Sequence, residues 1–175
     1  NMQVLCPANQ AELEQMLRRA VLEMKGPVAV RYPRGGDGAF VDCAALPLLR
    51  AGKDITLVSY GKLINQVLAA AALLERQGIS AEVIKLPAVK PIDMSAIRAS
   101  VRKTGNLLVA EETVRIGCAG KEIAASLRAG GMNPHIRLCN VGDRFVPQGT
   151  INDLYRLLGL DAESLAKAAM EVLQR

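Results

Sequence analysis

From residue 54 onward the chain alternates between short unbroken apolar runs and longer stretches in which apolar residues recur at helical spacing. Residues 55–59 read as a strand, 63–77 as a helix ended by Gly78, and 81–86 as the next strand. Asp93 is placed to cap a helix running to about residue 103; 107–110 is a strand, 121–129 a helix ended by Gly130-Gly131, and 136–139 a strand. Thr150, with Asp153 three residues on, opens a helix to residue 158, where Gly159 breaks it, and Asp161 caps a last helix to about residue 173. Unbroken apolar strands joined to helices by short connections predict an α/β fold: three α/β/α layers around a mostly parallel sheet.

The first forty residues form a separate unit. Val4, Leu5 and Cys6 read as a short strand, and Asn9 is a good helix N-cap with Glu12 completing a capping box. Leu13, Met16, Leu17, Ala20, Val21 and Met24 follow helical spacing until Lys25-Gly26-Pro27 stops the helix. The run Val28, Ala29, Val30 then reads as a short buried strand leading into Arg31. Such a strand–helix–strand piece is too small to bury its own core and is expected to be the end of a larger domain. The Gly- and Pro-bearing stretch that follows has no sustained periodicity and reads as a linker. The predicted division is 1–40, a linker at 41–53, and 54–175.

Composition narrows the function classes. Half of the 175 residues are hydrophobic but only 3% are aromatic and none is Trp, so the core must be built from Ala, Val, Leu and Ile. No apolar run is long enough to span a membrane, and residue 1 onward shows no signal-peptide pattern. The net charge of +5 is dispersed, with no basic cluster beyond Arg18-Arg19 or Arg102-Lys103 and no interleaved aromatics, which argues against nucleic acid as a partner. Four cysteines without a C-x-x-C pair, and a single histidine, argue against zinc. Cys118 and Cys139 sit beside apolar runs and are expected to be reduced and packed, as in a cytoplasmic protein.

Candidate chemistry concentrates at one place. Arg31 and Arg34 follow a strand and precede Gly35-Gly36, so a sheet edge would present fixed positive charge beside a flexible turn. Arginine suits bidentate phosphate recognition, while surface ion pairing is the competing role for both residues. Other patterns carry less. Gly117-x-x-Gly120 completes neither G-x-G-x-x-G, since residue 115 is Arg, nor a P-loop, since Glu122 follows Lys121, and it reads as a structural turn. Gly36-Asp37-Gly38 and the distant Asn65 only superficially resemble a magnesium–diphosphate motif, because a linker separates them. His135 has no recognisable nucleophile to serve. Glu111 and Glu112 end a strand and, being adjacent, point to opposite faces; a solvated strand end or an interface contact is expected rather than an acid–base pair.

Several segments together resemble one family: GPVAVRYPRG at 26–35, VSYG at 58–61, ISAEVI at 79–84, VKPID at 89–93, VAEE at 109–112, GDRFVPQG at 142–149 and LLGLD at 157–161. This ordered set, covering essentially the whole chain, is similar to the C-terminal end of the 1-deoxy-D-xylulose-5-phosphate synthases of the transketolase superfamily. The resemblance implies a thiamine diphosphate- and Mg2+-dependent homodimeric enzyme that condenses pyruvate with glyceraldehyde 3-phosphate and releases carbon dioxide. Its product feeds isoprenoid, thiamine and pyridoxal synthesis. On this resemblance residues 1–40 are the end of a pyrimidine-binding domain and 54–175 the transketolase C-terminal domain. Arg34 is the best match for the arginine that holds the aldehyde's phosphate, with Arg31 second. The cofactor-binding and catalytic groups fall before residue 1, so no cofactor is expected on this chain alone and it is expected to be inactive alone. The family's Gly-rich segment after VAEE is replaced here by Gly117-Cys118-Ala119-Gly120-Lys121. The alternative implied is a subunit of a split transketolase or pyruvate dehydrogenase beta-like protein, serving dimerisation or regulation.

Overall fold

The computed structural model of the chain describes residues 1–33 and 47–174. In chain order the strands are β1 (Gln3–Leu5), β2 (Val28–Val30), β3 (Leu48–Arg50), β4 (Ile55–Tyr60), β5 (Ala81–Leu86), β6 (Ala88–Lys90), β7 (Asn106–Ala110) and β8 (His135–Cys139). The helices are α1 (Gln10–Leu22), α2 (Ile64–Glu75), α3 (Ser95–Thr104), α4 (Ala119–Ala129), α5 (Ile151–Leu158) and α6 (Ala162–Leu173).

The larger sheet has the order β3-β5-β4-β7-β8. The pairs β4–β5, β4–β7 and β7–β8 are parallel, and only the edge strand β3 runs antiparallel, to β5. Both faces are covered, which is why β4 and β5 are buried at every position and β7 at all but its first. On one face Ile55, Leu57, Leu108 and Ala110 pack with α2 and α6 through Ile64, Val67, Leu74, Leu165 and Ala169. On the other, Val58, Ile84, Leu107 and Val109 pack with α3 and α4 through Ile97, Val101, Ile123 and Leu127. The three α/β/α layers expected from the sequence are present, and three helix starts are the expected ones. Asn9, Thr150 and Asp161 each accept a hydrogen bond at a helix N-terminus, from the backbone N–H of Glu12, Asp153 and Ser164.

The strands depart from the sequence expectation in three places. Leu48–Arg50, inside the expected linker, forms β3 and pairs with Val83 and Ile84; the part of the chain at 34–46 lies outside the described residues. Val28–Val30 is a strand but only half-buried, because it is an edge strand that pairs with β1 alone. Lastly, β6 is a strand that no sequence pattern predicts. It follows β5 after Pro87 and pairs antiparallel with β1, giving a second sheet of order β2-β1-β6.

That second sheet ties the N-terminal unit to the rest. The Cys6 N–H donates to the Pro87 carbonyl at 2.9 Å. The Glu12 side chain does two jobs: one carboxylate oxygen accepts from the Ala8 N–H at 2.8 Å, and the other faces the Lys85 ammonium on β5 in a buried ion pair. Burial draws Lys85 down to about 8, still above neutral pH, so it meets Glu12 as a cation. The apolar stripe that predicts α1 is only partly covered among the described residues: Leu13, Met16, Ala20 and Met24 are half-buried, while Leu17 is 44% exposed and Val21 78%. Removing one member of a buried ion pair strands the other charge. Glu12→Gln is therefore expected to lower stability by about 3–5 kcal/mol. The double change Glu12→Leu with Lys85→Met should recover most of that loss; urea unfolding of the 175-residue chain checks both.

Candidate functional site

β4 sits mid-sheet; the chain passes from it to β5 on one side and later to β7 on the other, so the strand order reverses between β4 and β7. Ligands of open α/β sheets bind at such a switch point, outside the carboxyl ends of the strands. A cavity of about 660 Å³ opens there, lined by Tyr60, Arg31, Lys90, Ile92, Cys118 and Glu122 among others.

Tyr60 ends β4 and Glu111 follows β7, both on the α3/α4 side of the sheet. Glu111 is fully buried and fully engaged. It accepts from the Tyr60 hydroxyl at 3.1 Å, from the Ala119 N–H at 3.0 Å and from the Gly120 N–H at 3.0 Å. It thus places a carboxylate on the free amides at the start of α4, where the helix dipole favours negative charge. Burial, and then the neighbouring Glu111 charge, push the Tyr60 phenol far above its ordinary range, so it stays a donor. The sequence expectation of a solvated strand end is corrected for Glu111, because the N-terminus of α4 closes over it.

Glu112 turns to the opposite face, as adjacent strand residues must. One carboxylate oxygen accepts from the buried Tyr155 hydroxyl of α5. The other lies 3.8 Å from the Arg31 guanidinium, which also donates to the Glu112 backbone carbonyl at 3.2 Å. Arg31 additionally stacks over the Tyr60 ring, 5.9 Å from its centroid. Its own backbone N–H donates to the Leu5 carbonyl at 2.8 Å. Of the two arginines singled out in the sequence, Arg31 therefore lines the switch-point cavity and contacts Glu112, while Arg34 lies outside the described residues. Tyr60 lies in the VSYG segment noted above but is not singled out there as a site residue, and Tyr155 has no motif to announce it. Their one signal is scarcity: the chain has only three tyrosines, and these two meet the acidic pair.

Arg31 and Lys90 bring positive charge to the cavity lining, and Glu122 brings negative charge. The Cys118 thiol in its lining is raised by burial and so stays protonated. His135 is on β8, away from this cavity's lining. Among the described residues no three His, Cys, Asp or Glu side chains converge to hold a metal ion.

Gly120 lets α4 approach this closely. A Cβ there would lie 2.7 Å from Glu111 Oε1 and 2.9 Å from Leu138 Cδ2. Gly120→Ala is expected to cost about 1–3 kcal/mol by overpacking. Gly130→Ala, whose added Cβ meets nothing nearer than 3.5 Å, should stay within about 0.5 kcal/mol of wild type; chemical denaturation of the two variants checks the contrast.

Residues 45–165 match the model of the transketolase C-terminal domain. Over 97% of its length the chain is 37% identical to a 1-deoxy-D-xylulose-5-phosphate synthase of Heliobacterium modesticaldum, spanning 27% of that protein. Over 98% it is 35% identical to the synthase of Chlorobaculum tepidum, spanning 28% of it. The chain thus spans little more than a quarter of the curated relatives it matches. A solved structure described as a split gene transketolase, inactive beta4 tetramer, superposes with a TM-score of 0.88 at 33% identity, covering 99% of this chain and 58% of that one. These matches, on a mostly parallel α/β/α architecture, lead to one assignment: the chain belongs to the transketolase family and carries its C-terminal domain.

Proposed function

We propose that this chain is the C-terminal part of an enzyme that condenses pyruvate with glyceraldehyde 3-phosphate to 1-deoxy-D-xylulose 5-phosphate, releasing carbon dioxide. The observation that carries the reading is the ordered likeness to the synthases along nearly the whole chain. Thiamine diphosphate with Mg2+ would supply the carbon–carbon bond chemistry in the complete enzyme, held by groups outside the described residues. Residues 1–40 would close a pyrimidine-binding domain, and the C-terminal domain would already include β3 (Leu48–Arg50), which pairs in its sheet. The complete protein would act as a cytoplasmic homodimer.

Within that enzyme the chain's contribution is recognition of the acceptor. Phosphate is a dianion that needs fixed, always-charged donors, and arginine meets that need with a planar fork. Arg34 is the proposed phosphate ligand. Arg31, whose guanidinium already faces Glu112, is secondary. In the complete enzyme Arg34→Ala should raise KM for glyceraldehyde 3-phosphate, by an amount worth about 1.5–3 kcal/mol for one charge-assisted contact. KM for pyruvate should stay near wild type; equal losses for both substrates would remove the phosphate role.

A second reading has a specific observation behind it, the close superposition on a split-gene transketolase. In that case the chain would be one subunit of a two-gene enzyme, with an assembly role. Both readings place the cofactor elsewhere. Isothermal calorimetry on the 175-residue chain should show no tight thiamine diphosphate binding, and a micromolar or tighter site would contradict both.

A further inference from the structure

We infer that the paired loops following β7 and β8 form the face on which a second copy of this chain docks; this rests on the homodimer reading above and names the surface that carries it. The backbone holds the two loops together. Val114 bridges Gly142 in parallel register, the Arg115 N–H donates to the Gly142 carbonyl at 2.8 Å, and the Val141 N–H donates to the Thr113 carbonyl at 3.0 Å. That pairing sets Val114 and Ile116 of one loop beside the start of the other, which goes on to Phe145 and Val146. All four side chains are exposed, and Phe145 is open to solvent over its whole surface. Single exposed apolar residues are ordinary, but a contiguous group of them marks an interaction surface.

The surrounding charges indicate the kind of partner. Arg115, Asp143 and Arg144 are all exposed, and none of them is in an ion pair among the described residues. Two copies meet about a two-fold axis, so that residue i of one contacts residue j of the other and j contacts i. A face with both signs of charge beside its apolar centre can complement itself in this way. The arginines of one copy lie against Asp143 of the other, and the contact is made twice. A partner of a single charge sign would instead meet like charge at Asp143 or at the arginines. Phe145 is the anchor, because an aromatic ring brings large apolar area with few rotatable bonds. Thr113 and Gly117, on either side of Val114 and Ile116, line the switch-point cavity, so the second copy stands at the cavity's rim.

Sedimentation velocity of the 175-residue chain over a series of concentrations tests this. Wild type is expected to dimerise, and Phe145→Asp should raise the dimer Kd by about tenfold or more. The same change at Val21, the most exposed aliphatic side chain of α1, should leave Kd within about twofold of wild type. Circular dichroism of Phe145→Asp should match wild type, since that side chain is uncovered in the single chain. Asp143→Arg and Arg144→Asp should each weaken the dimer alone, and mixed in equal amounts they should pair with each other more tightly than either does with itself. A monomeric wild-type chain would overturn the inference. So would equal weakening by Phe145→Asp and Val21→Asp, or no gain on mixing the charge variants. In the complete protein, loss of the dimer in Phe145→Asp supports the face, whereas an intact dimer overturns it. A lowered Tm in that intact dimer would show that the preceding part of the polypeptide covers the face. A complete wild-type protein that is itself monomeric would remove the homodimer reading, and this inference with it.

Discussion

A lysine ammonium lies in the interior of this protein, and much of the architecture follows from satisfying it. Lys85 stands on β5, on the same sheet face as Ala81 and Val83, where an unpaired charge would be prohibitive. Its carboxylate partner comes from Glu12, in the first turn of α1. The pair therefore fixes α1 over the end of the five-stranded sheet, although that helix buries little apolar surface of its own among the described residues. Backbone pairing completes the attachment. The chain leaves β5, passes Pro87 and immediately forms β6, which is the antiparallel neighbour of β1. Charge satisfaction and strand pairing thus act on the same junction from two sides.

Once β1 is fixed, β2 is fixed by its parallel register to β1, and Arg31 emerges at the switch point between β4 and β7. Two carboxylates wait there with different tasks. Glu111 faces α4 and is taken up by the helix amides and Tyr60, which closes the sheet's carboxyl end on that side. Glu112 faces Tyr155 and Arg31, and so joins the two sheets on the other. One acidic dipeptide at the end of a strand serves both layers because successive residues there point in opposite directions.

The sequence is most legible where structure is decided locally. Asn9, Thr150 and Asp161 cap their helices because a short polar side chain reaches an amide two or three residues on, whatever the tertiary setting. The central strands are legible because strands buried on both faces are predominantly apolar. β3 and β6 are not. Each is three residues long, and what makes it a strand is the partner edge it meets. The half-burial of Val28–Val30 is equally hidden, because an unbroken apolar run says nothing about how many neighbours a strand has. The burial of Glu111 is hidden for a related reason: the amides that satisfy it belong to a helix beginning eight residues later. Arg31 stands out in the sequence, but its partner Glu112 lies 81 residues away and no local pattern announces the pairing.

The Glu12–Lys85 pair and the β1–β6 pairing together make the N-terminal strand–helix–strand piece and the C-terminal domain one cooperative body. Native-state hydrogen exchange on the 175-residue chain tests this most directly, through the amides of Cys6 and Arg31, bonded to Pro87 and Leu5, against those of β4 and β7. The expected result is that the Cys6 and Arg31 amides open only in a large-scale event, and that this protection weakens when Glu12 or Lys85 is changed. Rapid exchange at Cys6 and Arg31 while β4 and β7 remain fully protected would contradict a single cooperative body.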